Sequence, residues 1–151
     1  MALSSNKKAF HDFEILEEFE AGIILTGTEV KSVRVGHISL KEAYIKVWNG
    51  EAFLVHAHIA EYEGGNINNH DPLRIRKLLL HKRQLKYLSV KITEQGLAAV
   101  PLKVYIKNRH IKISIAVAKG KKLYDKRHSE REREMKRTAE RALRNSVKSS
   151  R

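Results

Sequence analysis

Cysteine is absent from this sequence of 151 residues, which removes zinc ribbons, thiol nucleophiles and disulfides from consideration. Long apolar runs are absent too. No stretch approaches the roughly 18 residues a membrane-spanning helix needs, and residues 1–8 lack the apolar segment of a secretory signal. The expectation is a chain that neither spans a membrane nor is exported, with the cytoplasm as its simplest location. Negative charge is scarce: 17 Asp and Glu stand against 30 Lys and Arg, a net charge of +13. Such a balance attracts phosphate polyanions and is silent about fold. Nucleic acid is the leading partner class, and an anionic membrane surface trails it.

The excess charge is unevenly placed. Residues 119–151 hold 13 Lys and Arg against 5 Asp and Glu, so this shorter part carries +8 of the +13. Its large apolar side chains are few (Leu123, Tyr124, Met135, Leu143, Val147), too few to offset the backbone entropy of ordering it alone. Residues 1–118 are long enough for one core. The expected organisation is one domain over 1–118 and a basic tail over 119–151, disordered when free and ordered mainly on a partner. Ser129 with Glu132 reads as a capping box, and Glu132/Lys136 and Glu140/Arg144 are i,i+4 pairs worth about 0.3 kcal/mol each.

Within the body, residues 1–8 read as a mobile, solvated start. From Phe13, alternate positions Phe13, Ile15, Phe19, Ala21, Ile23 and Leu25 are apolar, the period of a strand. That strand is long enough to bend, with Gly22 as the bend point. Thr28 is positioned to cap a short helix over 29–34, which Gly36 stops. Strands over 43–48 and 51–59 meet across Asn49-Gly50, the strongest two-residue hairpin signal. That turn pairs Trp48 with Glu51, Ile45 with Leu54, and Lys46 with Phe53. The Gly- and Asn-rich stretch 64–72 reads as a loop, and Leu78, Leu85, Leu88 and Ile92 place a helix over roughly 76–95, ended by Gly96. Leu102, Val104 and Ile106, then Ile111, Ile113, Ile115 and Val117, give two more strands around a turn at 107–110. Three antiparallel strands, a helix and two strands make an antiparallel oligonucleotide-binding-type (OB-like) barrel, β-rich with helices.

Four segments can now be read side by side: Glu18-Phe19-Glu20-Ala21-Gly22-Ile23, Gly27-Thr28-Glu29-Val30-Lys31-Ser32-Val33-Arg34, Arg76-Lys77-Leu78-Leu79-Leu80-His81 and Gly120-Lys121-Lys122-Leu123-Tyr124-Asp125-Lys126-Arg127. Together they resemble SmpB, the SsrA-binding protein family, from about Asn6 into the tail. The resemblance implies an RNA-binding adaptor with no cofactor and no chemistry of its own. Its barrel would hold the tRNA-like part of transfer-messenger RNA (tmRNA) and bring it to stalled ribosomes in trans-translation. It implies RNA contacts at Asn6, Lys7, Lys8, Glu20, Lys119, Gly120, Lys121 and Lys122. Amides and carboxylates there would take donors from exposed base edges, and lysines would neutralise phosphates. It further implies that the tail, at Asp125, Lys126, Arg127, Arg133, Met135 and Lys136, meets 16S rRNA in the decoding centre and empty messenger channel of the small ribosomal subunit and becomes helical there. Elongation factor Tu and alanyl-tRNA synthetase are implied as indirect partners through the charged tmRNA. Met135 departs from the pattern, standing where several relatives carry an aromatic, so it keeps bulk but not a stacking ring.

Two other readings compete. His56 and His58 on one strand, with Glu20 and Glu29, suggest a metal-dependent nuclease or hydrolase, although no His-x-x-x-His or Ser/His/Asp set supports it. A structural ribosomal protein with a basic extension has the same composition.

Overall fold

The structure, a computed structural model, describes residues 2–121. Expectations about Lys122 and the tail residues beyond it therefore lie outside the described residues. The body, Met1–Lys119, forms one compact unit. Its elements in chain order are β1 (Ala2–Ser5), α1 (Lys7–Asp12), β2 (Phe13–Ile23), α2 (Gly27–Arg34), β3 (Ile38–Ser39), β4 (Tyr44–Trp48) and β5 (Glu51–Val55). There follow β6 (His58–Ile59), a 3-10 turn (Glu63–Asn68), β7 (Arg76–Leu79), α3 (Lys82–Thr93), β8 (Ala98–Lys107) and β9 (His110–Gly120). Seven strands form one sheet in the order β1-β8-β9-β2-β7-β5-β4, and β4 lies against β8, so the sheet closes on itself. This is the expected antiparallel barrel. No helix among the described residues is long and apolar enough to cross a membrane.

The two hairpins follow from local chemistry. Asn49 and Gly50 both take positive φ (54° and 76°), as a two-residue turn matched to strand twist requires. The register is the one the turn dictates, Trp48 to Glu51 and Ile45 to Leu54, which buries Ile45, Ala52 and Leu54. Between β8 and β9 the same geometry recurs at Asn108 and Arg109 (φ 51° and 67°). Pairing there slips between Pro101 and Lys103, leaving Leu102 as an extra residue. A bulge of this kind re-aims the side chains that follow it. Val100 and Leu102 pack into an outer cluster with Ala9, Ala116 and Ala118, whereas Val104 enters the barrel core with Ile113, Ile115 and Val117. Ile106 is exposed, so Leu102, Val104 and Ile106 do not share the single face their spacing suggests. The first long strand does serve both clusters: Phe13 and Ile15 pack on the outer one, Phe19, Ala21 and Ile23 on the core.

Several local expectations are corrected. Residues 2–12 are not a loose start: β1 pairs with β8, and α1 follows it. The cap of α2 is Thr26, not Thr28. The Thr26 hydroxyl accepts from the Glu29 amide at 3.4 Å while the Glu29 carboxylate accepts from the Thr26 amide at 2.8 Å, a reciprocal box. The strand expected over 51–59 ends at Val55, because His56 turns to positive φ (62°) and His58–Ile59 pairs instead with β3. The helix expected over 76–95 is a strand followed by a shorter helix. Arg76–Leu79 lies between β2 and β5, with Leu78 inward, and only at Lys82 does α3 begin. Its end at Gly96 (φ 65°) is as expected. Gly22 sits opposite Leu79, where a Cβ would meet the Leu79 Cβ at 3.2 Å, so glycine permits the close approach of β2 to β7.

Candidate RNA interface

Strand alternation places Glu20 on β2, and Lys103, Tyr105 and Lys107 two residues apart on β8. Tyr105 Oη donates to Glu20 Oε2 at 2.5 Å, and Lys107 Nζ reaches both Glu20 oxygens at 3.3 Å. Lys103 Nζ stands 5.8 Å from the centre of the Tyr105 ring, within range of a cation–π contact. Lys112 is paired opposite Tyr105. Glu20, Lys103, Tyr105 and Lys107 border an open cleft of about 580 Å³ that also takes in Phe19 and Ser114. The Tyr105 hydrogen bond, partly opposed by desolvation and aided by Lys107, holds the Glu20 carboxyl below its ordinary range. Burial and the same hydrogen bond push the Tyr105 hydroxyl up to about 12. At neutral pH the cleft therefore offers a fixed, ionised acceptor beside Lys103 and Lys107, with the charge of Lys112 close enough to favour its ionised form. Such a set can take N–H donors from a base edge while the cations meet phosphates. Sequence reasoning misses Tyr105, Lys103, Lys107 and Lys112, although Lys-x-Tyr-x-Lys on the outward face of a strand is a signal of basic residues interleaved with an aromatic.

Asn6 is not among the groups on offer. It is buried, 4% exposed. Its Nδ2 donates to the carbonyls of Leu40 (3.0 Å) and Pro101 (2.9 Å), and its Oδ1 accepts from the Ala9 amide at 3.1 Å. With both donors used and the acceptor capping α1, the amide ties the β1–α1 corner to two segments distant in sequence. The expectation that Asn6 stands in a solvated terminus is thus corrected, and the exposed groups at this corner are its neighbours. Lys7 is exposed, and Lys8 pairs with Glu42 at 2.8 Å. Lys119 and Gly120 end β9, and Lys121 follows them. Lys112 and Lys119 are seven residues apart on one strand, about 23 Å, so the Glu20 cleft and Lys119 are separate places. The outer cluster in which Ala9 packs with Ala116 and Ala118 instead sets α1 beside the Lys119 end of β9.

The residues of the metal-hydrolase reading are dispersed. Glu29 is fully buried and consumed by two arginines. Arg76 Nε donates to Oε2 at 2.6 Å and Arg74 Nη2 to Oε1 at 2.6 Å, while Arg76 also donates to the Ala57 carbonyl at 2.7 Å. Burial alone would raise the Glu29 pKa; hydrogen bonds from Arg74, the Thr26 amide and Arg76 outweigh it and leave the value at about 2. His56 leans on the Tyr44 ring, centroids 5.6 Å apart, and His58 belongs to the separate two-stranded sheet.

Known proteins resemble this chain over most of its length. The family model described as SmpB protein matches residues 3–145. The SsrA-binding protein of Ligilactobacillus salivarius (strain UCC118) is 54% identical over 144 residues, covering 95% of this chain and 93% of its own. That of Shouchella clausii (strain KSM-K16) is 55% identical over 141 residues, covering 93% and 90%. Among solved structures, a chain described under "tmRNA-SmpB: a journey to the center of the bacterial ribosome" superposes with a TM-score of 0.66 at 46% identity, covering 78% of this chain and 83% of that one.

Proposed function

The chain belongs to the SmpB family, and from that premise we propose that it is a non-enzymatic adaptor that binds the tRNA-like part of tmRNA and delivers it to stalled ribosomes for trans-translation. The observation that carries this reading is the Glu20 carboxylate, kept ionised and oriented by Tyr105 and Lys107 in an open cleft. A carboxylate repels phosphates, so its value at an RNA surface is to accept donors from unpaired bases, and the flanking Lys103, Lys107 and Lys112 offset the repulsion. Lys7 and Lys8 on α1, with Lys119, Gly120, Lys121 and Lys122 at the end of β9 and beyond, supply further phosphate contacts. Asn6 positions that corner from beneath rather than touching RNA.

Division of labour completes the proposal. The body, residues 1–118, holds tmRNA together with the first residues of the tail, 119–122; the rest of the tail, to residue 151, enters the decoding centre and empty messenger channel of the small subunit. There Asp125, Lys126 and Arg127 make the first contacts with 16S rRNA, followed by Arg133, Met135 and Lys136. Elongation factor Tu and alanyl-tRNA synthetase meet the assembly through the charged RNA, in the cytoplasm. The test is a pair of variants in a reconstituted tagging reaction. Deleting residues 125–151 leaves tRNA-like RNA affinity within about twofold and abolishes peptide transfer, whereas Glu20→Ala lowers RNA affinity at least about tenfold. Collapse of RNA affinity on tail deletion, or unchanged affinity in Glu20→Ala, contradicts the reading.

A further inference from the structure

The outer face of β4, β5 and β7 carries a second arrangement, on strands the Glu20 cleft does not use. Because Ile45, Ala52, Leu54 and Leu78 point into the barrel, their alternates all point out. The paired rows run Tyr44 to Val55, Lys46 to Phe53 to Lys77, and Trp48 to Glu51. Trp48 is 64% exposed and Tyr44 41%. Lys46, Trp48, Phe53, Val55 and Ile75 line an apolar groove of about 270 Å³. Large apolar side chains left in water at this density mark an interaction surface.

We propose that this face is a second nucleic-acid surface, on which unpaired bases of a single-stranded RNA stack against Trp48, Phe53 and Tyr44 while Lys46 and Lys77 meet the phosphates. The occupant follows from the middle row. Lysine is depleted from the centre of protein interfaces, yet here a lysine flanks Phe53 on either side. Aromatic rings with interspersed cations are instead the make-up of platforms that take single strands with little sequence preference. Lys77 is held by Glu51 at 2.9 Å, which keeps it on the groove's edge and leaves Lys46 as the leading phosphate partner. The net charge of +13 favours the same occupant. In an OB-type barrel this is also the face built by the second and third barrel strands, a recurrent oligonucleotide surface.

Trp48 is the only tryptophan in the chain, so its fluorescence reports on this groove alone. The full-length protein is titrated at fixed salt with a single-stranded oligoadenylate and with an RNA duplex of equal length. The single strand quenches Trp48 and the duplex does not. Phe53→Ala and Lys46→Glu each weaken the quenching titration at least about tenfold, while Lys86→Glu, the same charge change at an exposed position of α3, leaves it unaltered. Absence of quenching, equal quenching by the duplex, or insensitivity to both groove variants overturns the proposal. So does a Trp48 signal that changes with protein concentration alone, which assigns the face to a second copy of the chain.

Discussion

Glu20 and Glu29 are nine positions apart, and each carboxylate is gripped by two side-chain donors, yet they do opposite things. Glu29 lies in the first turn of α2 at zero exposure, with Arg76 of β7 at zero exposure beside it. Its hydrogen bonds cap α2 and join that helix to the strand and loop at residues 74–76. Glu20 is held by Tyr105 and Lys107 at the rim, open to solvent and to a ligand. Desolvation separates the two: a buried carboxylate can exist only if its partners fully compensate it, so it is unavailable to anything else, whereas an exposed one is merely oriented and keeps acceptor capacity in reserve. The pKa of about 2 at Glu29 is therefore a statement about folding, and the depressed value at Glu20 is one about readiness to bind.

The comparison breaks most visibly at Arg76. Arg76→Ala leaves Glu29 buried beside only the partly exposed Arg74, and urea denaturation is expected to show a loss of about 3–5 kcal/mol; a loss under about 1 kcal/mol would make the network dispensable. Acid reads the same site without mutation. The folded pKa of Glu29 is about 2 against an ordinary 4.5, so its contribution is present above pH 4.5 and is lost as the pH falls toward 2. That amounts to roughly 3 kcal/mol, and Glu29→Gln should flatten this part of the stability profile. Asn6→Ala is expected to cost about 1–3 kcal/mol of stability by leaving two carbonyls and the Ala9 amide unsatisfied, a melting shift that an RNA-contacting surface residue would not produce.

At the rim the signs reverse. Glu20→Gln is expected to leave the melting midpoint where it was and weaken tRNA-like RNA binding about tenfold. Tyr105→Phe, which frees the carboxylate without removing it, should weaken binding about threefold, with a smaller change at lower salt. Equal loss for unrelated RNAs in filter binding would reduce the cleft to general electrostatics. Lys8→Ala is the smallest: its pair with Glu42 is exposed on both sides, and no measurable shift in the melting midpoint is expected.

The difference between the carboxylates also explains which features are legible in the sequence alone. The hairpins at Asn49-Gly50 and at residues 107–110 are legible because a two-residue turn and strict alternation are local properties, and register follows from them without reference to the rest of the chain. The charge asymmetry is legible for a similar reason, while Glu20 is singled out by the family resemblance and by no local pattern. Arg76–Leu79 is not. Its few residues with two inward side chains fit a helix as well as a strand, and only β2 and β5, both more than 20 positions earlier in the chain, supply the pairing that makes it a strand. Asn6 has the composition of a solvated terminus, and becomes a buried cap only because Leu40 and Pro101 bring their carbonyls to it. Residues alone determined that this chain is a basic, cysteine-free barrel former with particular turns. Tertiary structure decided which of its charges are sealed inside and which stay exposed, because burial, unlike periodicity, is set by residues that are distant in sequence.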